Sequence, residues 1–125
     1  MNINYKGKEL ELRFDFRFLR EIDNILGFKM EQMSIGQGVS MLPAGLEMGN
    51  PVVIGETILA ATKSHKKAPS IKDLDDILDD IAENIGLEEF GQQVIEELGK
   101  RPMTRNLVEK EESEETNEKK SKKNK

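Results

Sequence analysis

The chain contains no cysteine and no tryptophan, and only one tyrosine and one histidine. Without cysteine there is no disulfide framework, no thiol nucleophile and no zinc-finger pattern. A lone histidine, His65, is a weak candidate for acid–base catalysis. It sits in "KSHKK", which reads as a surface loop, with anion binding as the alternative. No apolar run approaches the roughly 20 residues needed to cross a membrane. No basic-then-apolar leader opens the chain, so a cytoplasmic location is expected and no membrane partner. Hydrophobic residues make up 36% of the 125 residues and charged residues 34%, which leaves material for one small core.

Residues 109–125, "EKEESEETNEKKSKKNK", contain six Glu, six Lys and no hydrophobic residue. A segment with so little apolar surface cannot offset its ordering entropy, and it is expected to be a disordered tail. The folded domain is then residues 1–108, with a hairpin over 1–14 and helices over 15–100. The tail's charges cancel, so the net charge of −5 belongs to the domain. An acidic domain argues against general nucleic-acid binding, which needs a basic face. Within the tail the charge is blocky: acidic over 109–118, then basic over 119–125.

The fold class read from patterning is α+β and predominantly helical. An N-terminal β-hairpin precedes about four to five helices. In "MNINYKGKELEL" a turn at Lys6-Gly7 opposes Tyr5 to Lys8, Ile3 to Leu10 and Met1 to Leu12. That register gathers Met1, Ile3, Tyr5, Leu10 and Leu12 on one face, whereas a one-residue slip would scatter them. Alternation continues through "LRFDFRF", which would align Phe14, Phe16 and Phe18 on one face of an extended chain. Asp15 is the expected cap of a helix carrying Leu19, Ile22, Ile25 and Leu26, with Gly27 closing it in the left-handed conformation.

From residue 28 to 50, Ile35, Val39, Leu42 and Leu46 have helical spacing interrupted by Gly36, Gly38, Pro43 and Gly45, so a short or kinked helix is expected. Asn50 and Pro51 open the next helix, with Val53, Ile54, Ile58 and Ala61 inward. Ser70 and Asp73 make a capping box for a helix striped by Ile71, Leu74, Ile77, Leu78, Ile81 and Ile85. A further helix carries Leu87, Phe90, Val94, Ile95 and Leu98 and is expected to close at Gly99. Another helical piece starts near Met103.

None of these elements carries recognisable chemistry. Asp73, Asp75, Asp76, Asp79, Asp80 and Glu83 share one helix without the rigid loop or convergence a metal site needs, so they read as a solvated face. "GQG" at residues 36–38 completes neither phosphate-loop pattern, and packing or turn geometry accounts for its glycines. No catalytic, cofactor or metal residues are assigned, and an enzyme is not expected. Met30, Met33, Met41 and Met48 fall in the Gly-interrupted middle of the chain. Flexible thioethers suit surfaces that adapt to varied apolar partners, although core filling would also use them.

The order of elements is similar to that of a known family. "NYKGKELELRFDFRFLREIDNILG", then "GLEMGNPVVIGETILAAT", the Pro-Ser helix start, "EEFGQQVIEEL" and the Lys/Glu tail follow one another over about residues 3–100. This resembles the tail assembly chaperones of long-tailed phages, especially the short-form proteins from phages of low-GC Gram-positive bacteria. The resemblance implies a non-enzymatic factor that holds the long, aggregation-prone tape measure protein and helps tail tube protein polymerise around it. It also implies action in the host cell cytoplasm and absence from the mature virion. A frameshifted long form of the chain is a further implied partner, and "KKSKKNK" is compatible with A-rich slippery codons. A groove for apolar helices is expected between the first helix and the methionine segment, with Phe16, Leu19, Met30, Met33, Met41 and Met48 as client-binding candidates. An exposed hairpin edge invites a homo-oligomer. The competing reading is a small regulatory or adaptor domain using its basic C-terminal tail on nucleic acid or protein.

Overall fold

In the computed structural model, residues 1–27 and 36–108 are described. Strands β1 (Asn2–Tyr5) and β2 (Lys8–Glu11) form an antiparallel hairpin in which Ile3 pairs with Leu10 and Tyr5 with Lys8. The ladder extends one step further, where the Leu12 N–H donates to the Met1 carbonyl at 2.9 Å. Lys6 and Gly7 both take positive φ, 51° and 75°. A two-residue turn of this hand matches the twist of the strands. The register is the one the side-chain pattern predicts. Ile3 and Leu12 are buried, while Asn2, Asn4, Glu9 and Glu11 are exposed.

Helix α1 (Phe16–Gly27) begins immediately afterwards. The Phe18 N–H donates to Asp15 Oδ1 at 3.0 Å, so Asp15 caps the helix as expected. Phe14, Phe16 and Phe18 do not share one extended face, because the chain turns helical at Phe16, directly after the Asp15 cap. Phe14 and Phe18, four residues apart, are buried with ring centroids 5.0 Å apart at an edge-on 80°. Phe16, between them, is 64% exposed. Gly27 is still helical and is not among the glycines with positive φ, contrary to the expected left-handed close.

The interrupted middle segment resolves into two short helices, α2 (Gln37–Ser40) and α3 (Leu42–Glu47), joined at Met41. Leu42 and Leu46 are fully buried and Val39 is partly so; Ile35 lies outside the described residues. Asp23 of α1 organises this region across the gap in sequence. Its carboxylate accepts the Gly36 N–H at 3.0 Å and the Val39 N–H at 2.9 Å. Gly38 is required by packing, since a Cβ there would strike the Asp23 carbonyl.

Helix α4 (Pro51–Thr62) is the centre of the domain and packs against β2, α1, α3, α5 and α6. Asn50 Oδ1 accepts from the Val52 N–H at 2.9 Å. Buried residues occur around much of α4: Ile54, Thr57, Ile58, Ala60, Ala61 and Thr62. Such a helix survives on burial rather than on an amphipathic stripe. The two buried threonine hydroxyls donate back to Val53 and Ile58 carbonyls, each at 2.7 Å, which satisfies them without a partner from another element.

Helix α5 (Ile71–Asn84) buries Leu74, Ile77 and Ile81, with Leu78 partly covered. Ile71 and Ile85, expected in the same stripe, are 78% and 45% exposed because they lie at the helix ends, beyond the surface that covers the stripe. Helix α6 (Leu87–Lys100) buries Phe90, Val94, Ile95 and Leu98. It does not close at Gly99. The helix runs to Lys100 and stops where Arg101 becomes extended ahead of Pro102. Residues 102–108 then form a final helical segment. Gly99 leaves room for Val108, since a Cβ there would lie 3.4 Å from the valine side chain. Thr104, also buried, donates its hydroxyl to the Leu98 carbonyl at 2.6 Å. Together these contacts fold the segment back on α6. Among the described residues the outcome is a mainly helical α+β domain in which α1–α6 and the final helical segment exceed the four to five helices expected, in part because the middle segment divides.

Candidate functional site

Among the described residues, the client-binding candidates Phe16 and Met48 lie at opposite ends of α4. Phe16 opens α1 at the C-terminal end of α4, since the neighbouring Arg13 N–H donates to the Ala61 carbonyl at 2.9 Å. Leu19, one turn on, is half-buried against the core. Met48 ends α3, two residues before the cap of α4, and so lies at the opposite end of that helix. Twelve helical residues separate the two ends by about 18 Å. Met41, 47% exposed, occupies the α2–α3 joint. Met30 and Met33 fall outside the described residues.

Around Met48 the structure assembles a surface that sequence reasoning missed. Gly49 has a positive φ of 66° and brings the backbone against Glu88 at the start of α6; a Cβ on Gly49 would lie 2.8 Å from the Glu88 backbone nitrogen. On the other side, Gly91 lets α6 close on α3, because a Cβ there would strike the Leu46 carbonyl. These approaches place Met48 beside the α5–α6 turn. Met48, Ala82, Ile85 and Leu87 then line an open cleft of about 640 Å³, with Glu88 and Glu89 also on its wall. Met48 is 71% exposed. Val52, in the first turn of α4, is 69% exposed. Apolar side chains so close to an acidic rim form a surface suited to an apolar helix with basic flanks. The only sequence signal was the methionine itself. Ile85 and Leu87 read as core residues of two different helices.

The opposite end of α4 is polar. His65 Nε2 lies 2.8 Å from the Glu11 carbonyl, and the Arg13 guanidinium donates to Ser64 Oγ at 3.1 Å. Lys63 pairs with Glu21 of α1 at 2.9 Å. The hairpin is fastened to α5 through Asp73, whose Oδ2 accepts from the Ser70 N–H at 2.8 Å, the Ser70 hydroxyl at 3.0 Å and the Tyr5 hydroxyl at 2.9 Å. The Ser70 N–H, then the Tyr5 hydroxyl, hold its carboxyl below the usual carboxylate range, with smaller help from the Ser70 hydroxyl and Lys6. Asp73 therefore serves as a structural anchor as well as a helix cap. No group of three or more potential metal ligands occurs among the described residues. No helix among them is long and apolar enough to cross a membrane.

Comparison with known proteins gives one finding. Residues 2–112 match the family model described as phage tail assembly chaperone protein, TAC. Neither the curated proteins nor the solved structures give a match. The matched span takes in the hairpin, α1–α6 and the cleft around Met48. The chain belongs to the phage tail assembly chaperone family.

Proposed function

We propose that this chain binds the tape measure protein during tail morphogenesis, keeps its apolar helices soluble and promotes polymerisation of tail tube protein around it. The action is non-enzymatic, takes place in the host cell cytoplasm and leaves no chaperone in the mature virion. A frameshifted long form would carry the same domain. Family membership supports the general role. The observation that carries the specific reading is the cleft where Met48, Ile85 and Leu87 come together with Glu88 and Glu89 beside them. A client helix would bury its apolar face there, while the acidic rim keeps the complex soluble and excludes acidic competitors.

The test is co-expression of the tape measure protein with and without this chain. Binding predicts that the tape measure protein moves from the insoluble to the soluble fraction and co-purifies with the chain. A tape measure protein equally insoluble in both cultures, with no complex recovered, would overturn the proposal.

A further inference from the structure

A second cleft, remote from Met48, carries charge of the opposite sign on its wall. The hairpin and the loop after α4 enclose about 500 Å³ lined by Lys6, Lys8, Lys66 and Lys67, with Glu9 as the one carboxylate on its wall. That many cations in one place is unexpected in a domain whose net charge is −5. Lys6 lies over the Tyr5 ring, 5.2 Å from its centre. Among the described residues, Lys8, Lys66 and Lys67 have no carboxylate within ion-pair distance. The two walls are fixed to each other by the contact of His65 with the Glu11 carbonyl. The Arg13–Ser64 bond holds the same loop beside the end of β2. The ammonium groups are therefore presented on a scaffold set by bonds between residues more than fifty positions apart.

We propose that this cleft docks the chain's own acidic segment, residues 109–118. The segment follows directly on Val108 and holds six Glu against one Lys, so its charge is complementary to the cleft. Its ten residues reach about 33 Å when extended. A domain of this size has a radius of gyration of about 13 Å, so the segment can span it. Each exposed ion pair is weak alone, but tethering holds the segment at an effective concentration on the order of millimolar. The contact is an electrostatic latch. It fastens the tail over the hairpin and leaves the Met48 cleft open, and it does not depend on the identity of the client.

The absence of cysteine allows a clean test. A nitroxide on Ser113→Cys, in the full-length chain, leaves every charge in place and reports on nearby backbone amides by NMR. Docking predicts that amides of residues 6–10 and 65–68 lose more than half their intensity at low salt, while those around Met48 and Ile85 keep theirs. The broadening should vanish at about 1 M salt, where the Debye length falls to about 3 Å. It should vanish also in Lys66→Glu/Lys67→Glu, and in a tail with Glu111, Glu112, Glu114 and Glu115 all changed to Lys. Even intensities throughout at low salt would overturn the proposal, as would broadening that survives both charge reversals. Broadening that appears when spin-labelled chains are mixed with isotope-labelled, unlabelled-tail chains would replace the latch by contact between two copies.

Discussion

At the C-terminal end of α4 the surrounding elements are tied on by polar bonds: Arg13 to Ala61 and Ser64, His65 to Glu11, and Tyr5 to Asp73. At its N-terminal end they are brought together by the absence of side chains, with Gly45 against Val53, Gly49 against Glu88 and Gly91 against Leu46. The polar end leaves lysines and the single apolar ring of Phe16 facing solvent. The glycine-packed end leaves Met48, Val52 and Ile85 facing it. Directional bonds fix position without needing apolar cover, so that end can remain charged. Close helix packing removes area that would otherwise bury neighbouring side chains, and those side chains remain exposed at the edge of the contact. The second arrangement suits a surface that must receive an apolar partner.

The largest effect on this contrast is expected from Phe14, which is buried beside the polar end. Phe14→Ala should lower unfolding free energy by about 3–5 kcal/mol in chemical denaturation. Phe16→Ala, two residues on at an exposed site, should stay within about 0.5 kcal/mol. Equal losses would mean that the two rings share one environment. Next comes Gly91→Ala, whose added methyl meets backbone rather than a movable side chain. It should cost about 2–3 kcal/mol and loosen the Met48 cleft, seen as faster hydrogen exchange at residues 45–49. Wild-type stability in that variant would show that α3 and α6 can separate freely.

The smallest effect concerns Tyr5→Phe. Asp73 has its pKa lowered in the folded state, so it contributes stability above its unfolded pKa and loses that contribution as pH falls through the folded value. Removing the Tyr5 hydroxyl should lower neutral-pH stability slightly, and the difference from wild type should fade as pH falls through the folded value and Asp73 becomes protonated in both. Denaturation midpoints followed from neutral to acidic pH would show it, and an unchanged acid limb would mean that the Ser70 bonds alone hold Asp73 ionised.

How much of this was legible in the sequence depended on how far each signal travels along the chain. The hairpin register, the Asp15, Asn50 and Ser70 caps and the buried faces of α5 and α6 are local, and side-chain period or a residue three positions away specifies them. Asp23 capping the start of α2 is a contact thirteen residues long. Nothing nearby distinguishes that aspartate from its neighbours. The buried Thr57, Thr62 and Thr104 were missed because a hydroxyl satisfied by its own or a nearby backbone looks polar in sequence and behaves as core. Gly99 looked like a terminator, although it serves as a seat for Val108. The methionines suggested a groove beside α1, whereas Met48 shares its cleft with the α5–α6 turn. Ile85 and Leu87 reach Met48 only because α5 reverses into α6 beside the end of α3.

The most direct test of this division is to damage each end and assay the soluble tape measure protein recovered on co-expression. Met48→Glu/Ile85→Glu alters exposed or half-exposed side chains and should leave the domain folded. Soluble tape measure protein should fall to the level seen without chaperone, while Phe16→Glu retains most of it. Full recovery with Met48→Glu/Ile85→Glu, or loss with Phe16→Glu alone, would contradict the assignment of client binding to the glycine-packed end.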